Sequence, residues 1–155
     1  MLKKAKIKDV KTIYNILNIY GQQGVLLSRP LSVLYENIRN FYVYEDEKTK
    51  KVIGCCSLQF CWEDLAEIRS LAVLPEFTRQ KIGTILANEA LNEAKQYGIN
   101  KVFTLTYKPD FFDKLGFRII EKTKLPLKIW ADCIHCLKFP DCDETAMTLN
   151  LNQSP

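Results

Sequence analysis

The stretch Ala66-Glu-Ile-Arg-Ser-Leu-Ala-Val-Leu-Pro-Glu-Phe-Thr-Arg-Gln-Lys-Ile-Gly-Thr84 reads as a strand, a turn and the start of a helix. Ala66–Val73 is rich in strand formers, and Pro75 ends it. From Ile82 the residues Ile85, Leu86, Ala90 and Ala94 recur at helical spacing to about Tyr97, where Gly98 stops the helix. Lys101–Thr106 is again a strand. A strand–helix–strand crossover is right-handed and sets the helix start beside the end of the first strand. The first backbone N–H groups of that helix have no internal partner, and the helix dipole adds positive potential. Together they make an anion site. Gly83 allows close backbone approach, Arg79, Gln80 and Lys81 add donors, and Thr84 adds a hydroxyl. Taken alone, the same residues also describe an ordinary basic turn capping a helix.

Outward from this unit the pattern stays regular. Leu2–Lys6 alternates as a short edge strand, and Asp9 caps a helix running to about Tyr20, broken by Gly21 and Gly24. Ser32 is the expected cap of a second helix. Phe41–Glu45, Val52–Phe60 and Ala66–Val73 are joined by short turns and so form an antiparallel meander. Toward the C-terminus, Asp110–Leu115 is a short helix ended by Gly116. Phe117–Glu121 and Thr145–Leu149 are the last strands, separated by a long segment, Lys122–Glu144. The order is β-α-α-β-β-β-α-β-α-β-β, a mixed α/β sandwich expected to form a single domain over residues 1–155.

Composition narrows the function. The 155 residues carry a net charge of +4, with lysines scattered rather than massed on one element. That argues against nucleic acid, while suiting an anionic ligand. No stretch approaches a membrane span, and Met1–Lys8 is not a secretory signal. The expected compartment is the cytoplasm.

The quoted stretch resembles the central motif of the GNAT N-acetyltransferases, in which a strand ending Leu-Ala-Val-x-Pro leads into a Gln/Arg-x-x-Gly-x-Gly/Ala turn. Phe111-Phe-Asp-Lys-Leu-Gly-Phe117 is similar to their second signature. The resemblance implies a mixed, mostly antiparallel sheet flanked by helices, and acetyl-CoA as co-substrate. It places the pyrophosphate on Thr78, Arg79, Gln80, Lys81, Ile82, Gly83 and Thr84. It places the pantetheine arm against Leu71, Ala72 and Val73, in a gap where two strands splay. Phe112 joins the cofactor-binding set. Two departures stand out: Thr78 replaces Gln or Arg, and Lys81 replaces the first glycine, where a lysine needs room and a permissive backbone angle.

Acetyl transfer to an amine needs a base for the amine, polarisation of the thioester and an acid for the thiolate. Glu67, in the strand before the turn, is the candidate base, directly or through water. Many relatives supply the acid from a Tyr where this chain has Phe112, so Tyr107 and Thr106 are the candidates here. A narrower resemblance, carried by Leu26-Leu-Ser-Arg-Pro-Leu-Ser32, Tyr35–Phe41, Val52-Ile-Gly-Cys55 and Ala66–Val73, is to the amino-acid N-acetyltransferases of arginine biosynthesis. It implies glutamate as a small-molecule acceptor, its carboxylate held by Arg29. Guanidinium suits that task through two parallel hydrogen bonds. The alternative readings are another small amine or a peptide N-terminus as acceptor, or a non-catalytic acetyl-CoA-binding module. Arg69, two residues from Glu67 and so on the same face, is a second cation, and Lys128 a third by resemblance. A homodimer is compatible with all of this.

Six cysteines remain. Cys133, Cys136 and Cys142 have one Cys-x-x-Cys spacing, with His135 awkwardly between the first pair. A zinc site, a Cys133–Cys136 disulfide and packed thiols are all open readings.

Overall fold

A computed structural model describes residues 1–24, 29–125 and 143–151. Its elements follow the expected order: β1 (Leu2–Lys4), α1 (Val10–Gln22), α2 (Leu31–Glu36), β2 (Phe41–Glu45), β3 (Val52–Trp62), β4 (Leu65–Val73), α3 (Ile82–Gln96), β5 (Lys101–Thr106), α4 (Pro109–Lys114), β6 (Arg118–Ile119) and β7 (Thr145–Asn150). They form one seven-stranded sheet in the order β1-β2-β3-β4-β5-β7-β6. Every neighbouring pair is antiparallel except β4 and β5, the two strands of the crossover.

Helices cover both faces of the sheet. Strand alternation sends Tyr42, Cys56, Leu58, Ala66 and Ile68 to one face, where Leu86, Ala90 and Ala94 of α3 meet them. Phe41, Val43, Cys55 and Ala72 go to the other, packed on Val10, Ile13, Ile16 and Leu17 of α1 and Leu34 of α2. The apolar stripes are continuous, and helix propensity is secondary to their burial.

Several boundaries differ from expectation. Asp9 does not cap α1; its carboxylate reaches back to the Lys6 N–H at 2.8 Å and is 5% exposed. Gly21 lies inside α1, and it is Gly24, at φ +71°, that adopts the left-handed conformation. Ser32 lies inside α2, which starts after Pro30; the fixed extended geometry before the helix replaces a hydroxyl cap. The strand expected at Phe117–Glu121 is two residues long, because Phe117 turns into the core, 1% exposed.

Candidate active site

The crossover builds the first half of the site. After Val73 the chain makes a single 3-10 turn, Pro75–Phe77, which Thr78 closes by donating its hydroxyl to the Pro75 carbonyl at 3.1 Å. Helix α3 follows, and no side chain caps it. Its first internal bond is Ile85 N–H to the Lys81 carbonyl, 3.1 Å. The uncapped helix start faces the turn, and Thr78, Arg79, Gln80 and Lys81 are all exposed around it. Lys81, where the motif expects glycine, is left-handed, with φ 61° and ψ 19°. Ile82 sends its side chain into the core, 3% exposed, so only its backbone serves the turn. A Cβ added to Gly83 would lie 3.5 Å from the Phe111 ring and 3.9 Å from a Val73 methyl, ordinary contact distances. Gly83 is therefore not required by the packing around it.

The second half is the divergence of β4 and β5. Their parallel pairing stops at Glu67 and Phe103, although β4 continues to Val73 and β5 to Thr106. At the parting point Thr104 donates its hydroxyl to the Ile68 carbonyl at 3.0 Å, taking the place of a ladder hydrogen bond. Beyond it, Leu71 is half-buried, Ala72 sits opposite Cys55 in β3, and the Val73 carbonyl accepts the hydroxyl of Tyr20 from α1. Burial, and secondarily the charge of Glu76, raises the Tyr20 hydroxyl above its ordinary pKa.

The candidate acceptor residues lie on the α1–α2 face. Arg29, Val33, Leu34, Asn37, Phe41, Ser57, Gln59, Arg69 and Ser70 line one open depression. Arg29 and Arg69, far apart in sequence, thus share one wall. Arg69 also donates Nε to the Glu67 carboxylate at 2.5 Å, so the candidate base is joined to the pocket through a guanidinium. Glu67 is 6% exposed. Neighbours in a regular strand point to opposite faces, yet Arg69 and Ser70 both line the pocket. A bulge explains this: Ser70 and Leu71 together oppose Cys56, and Ser70 is left-handed at φ 53°.

The two candidate thiolate acids part company. Thr106 is 8% exposed and its hydroxyl accepts the Lys108 N–H at 2.8 Å. Tyr107 is half-buried and donates to the Asp143 carboxylate at 2.5 Å. Phe112 is a core residue, 4% exposed, edge-on to Phe111 and Phe117; the ring beside the turn is that of Phe111. Lys128 and the cysteines Cys133, Cys136 and Cys142 lie outside the described residues. Among the described residues no cluster of His, Cys, Asp and Glu could hold a metal ion, and no helix is long and apolar enough to cross a membrane.

Reading the sequence alone missed Phe111, Tyr20, Asn37 and Gln59. Tyr20 and Val73 are 53 residues apart, and such a contact leaves no local mark. Phe111 was within reach, since it stands in the second signature beside Phe112.

An anionic nucleotide tail fits what the residues provide: an uncapped helix start, a glycine with room above it, and a strand edge released from pairing. The chain matches the Acetyltransferase (GNAT) family over residues 11–117. It is 41% identical over 150 residues to an uncharacterized N-acetyltransferase of Chlorobaculum tepidum, across 97% of this chain and 96% of the relative. An amino-acid acetyltransferase of Mycobacterium tuberculosis is 34% identical over 131 residues, covering 84% of this chain and 75% of that protein. A Mycobacterium tuberculosis protein solved in complex with CoA and NLQ superposes with a TM-score of 0.84 at 30% identity, covering 97% and 99% of the two chains. N-acetylglutamate synthase from Neisseria gonorrhoeae, solved with coenzyme A and N-acetyl-glutamate, superposes at 0.88 with 24% identity. This chain spans 35% of that protein, and the likeness there is one of fold. With motif, topology and family match in agreement, the chain belongs to the GNAT family and is an acetyl-CoA-dependent N-acetyltransferase related to the amino-acid acetyltransferases.

Proposed function

We propose that the chain acetylates the α-amino group of an amino acid, with L-glutamate the foremost acceptor, as a step of arginine biosynthesis in the cytoplasm. One observation carries this reading: Arg29 and Arg69 line a single pocket, and Arg69 is bonded to Glu67. Two guanidinium groups in one small depression suit a dicarboxylate. A carboxylate at its edge suits the proton that the acceptor ammonium must lose. The relative named amino-acid acetyltransferase supports the acceptor class.

In this reading acetyl-CoA supplies the activated acetyl group. Thr78–Thr84 hold its pyrophosphate through backbone N–H groups, with Lys81 as a point cation. Leu71, Ala72 and Val73 present strand backbone to its pantetheine arm, with Phe112 supporting the turn from the core through Phe111. Arg29 and Arg69, with Lys128, hold the acceptor carboxylates. Glu67 takes the ammonium proton. Tyr107 is favoured over Thr106 as proton donor to the thiolate, because a phenol is a far stronger acid than an aliphatic hydroxyl.

The test is acetyl-CoA turnover with glutamate, glutamine, aspartate and no acceptor, in wild type and Arg29→Ala. Glutamate should stimulate turnover, and Arg29→Ala should raise its KM about tenfold or more, the loss of one charge-assisted contact, while the acetyl-CoA KM stays put. Absence of stimulation by any amino acid would sink the acceptor class. An unchanged glutamate KM in Arg29→Ala would reject the carboxylate role.

A further inference from the structure

Beside Glu67, on the same wall, stands an amide held by a neighbouring side chain. Asn40, at the end of the short 3-10 turn Ile38–Asn40, donates Nδ2 to the Oε1 of Gln59 at 3.0 Å. With Oε1 engaged, the remaining polar end of Gln59 is Nε2, which carries two N–H donors and no acceptor. Gln59 lines the same depression as Arg29 and Arg69. In the β3–β4 register it is also the residue directly across from Glu67, just as Ser57 is across from Arg69. Directly paired residues point to the same face with Cβ atoms about 4.5–5.5 Å apart. A buried carboxylate and a donor amide therefore stand side by side on one wall.

That pairing has a chemical counterpart. An α-amino acid carries an ammonium and a carboxylate on one carbon, a donor group and an acceptor group side by side. A simple amine has only the first. We infer that Gln59 holds the α-carboxylate of the acceptor through Nε2 and so delivers the α-amine to Glu67. Asn40 is the positioning residue that keeps the donor end of the amide turned inward. The inference rests on the amino-acid reading above and sharpens it: the arginines are left for the side-chain carboxylate, and the enzyme distinguishes α-amino acids from amines that lack the α-carboxylate. A neutral amide suffices because Arg69 already places a positive charge beside Glu67.

The experiment compares L-glutamate with 4-aminobutyrate, which is glutamate without its α-carboxylate and keeps the distal one. Both are followed as substrates, and 4-aminobutyrate also by its inhibition constant against glutamate, which requires no turnover. Gln59→Leu should lower kcat/KM for glutamate about tenfold or more, mainly through KM. It should leave both constants for 4-aminobutyrate unchanged. Asn40→Leu, which frees the amide to turn over, should cause a smaller loss of the same kind. Equal losses on the two compounds would overturn the assignment, since they would mean that Gln59 reads the shared part of the molecule or merely supports the fold. An unaffected glutamate constant would overturn it as well. If wild type acetylates neither glutamate nor another amino acid, the amino-acid reading itself falls and the inference with it. That outcome is visible before any variant is made.

Discussion

Lys81 occupies a backbone conformation that costs an L residue about 1–2 kcal/mol and costs glycine nothing sterically. The residue is exposed in the turn before α3, so no buried contact offsets the strain. Lys81→Gly should therefore raise stability by up to about 1 kcal/mol, once the larger unfolded-state entropy of glycine is subtracted. Urea denaturation reads this directly, and a lower midpoint would refute the strain argument. The same variant should raise the acetyl-CoA KM if, as we propose, the Lys81 ammonium stands beside the pyrophosphate. Gly83 tests the turn from the other side. An added methyl there meets the Phe111 ring and Val73 only at ordinary contact distance. Gly83→Ala should leave stability unchanged or raise it by up to about 1 kcal/mol, through the lower unfolded-state entropy of alanine, while the acetyl-CoA KM rises several-fold. Equal damage to fold and KM would make Gly83 a packing residue. These positions were legible in the sequence because the motif is local: the departure at residue 81 already called for a permissive angle, and the structure supplies it.

The strands carry what a local motif does not. β4 and β5 pair for three residues and then part, and the hydroxyl of Thr104 covers the Ile68 carbonyl where they do. Thr104 is 3% exposed. Thr104→Val keeps the side-chain shape and removes the donor, leaving a buried carbonyl without its partner, a loss of about 1–3 kcal/mol. We expect that loss in urea denaturation, together with a higher acetyl-CoA KM, because the gap edge is no longer held. A variant as stable as wild type would show that water or another donor replaces the hydroxyl. The strands themselves were readable from runs of strand-forming residues between turns, down to both ends of Phe41–Glu45 and Lys101–Thr106. The bulge was not. Left-handed backbone in a strand is signalled by glycine, and here the residue is Ser70. Helix starts misled for a related reason: Asp9 and Ser32 are good caps by type, but the chain had other uses for them.

For the molecule as a whole, β3 places two adjacent thiols in the two cores. Cys55 packs with α1 and α2, and Cys56 with α3. Both are free and fully enclosed. The order of elements was visible in the sequence, but which thiol faces which core follows only from the β2–β3–β4 register. Burial drives both thiol pKa values upward, Cys55 to about 12 from an ordinary value near 9.0. The sign of the consequence is fixed by linkage. Below about pH 9 both thiols are protonated in folded and unfolded chains alike, and folding stability feels no proton exchange from them. Above it the unfolded chain releases these protons and the folded chain does not, so stability falls as pH rises, by about 1.4 kcal/mol per pH unit for each such thiol. For Cys55 the fall continues toward pH 12, where the folded form also ionises. Cys55→Ala removes one thiol and its 3.3 Å contact to the Ser70 carbonyl, so the variant should be less stable than wild type near neutral pH. Between pH 9 and about 10.5, however, its unfolding free energy should decline more gently than that of wild type, and the two curves should converge. Urea denaturation at half-unit pH steps measures both slopes. Parallel curves would mean that the Cys55 thiol ionises equally in both states, and that the core between β3, α1 and α2 admits water.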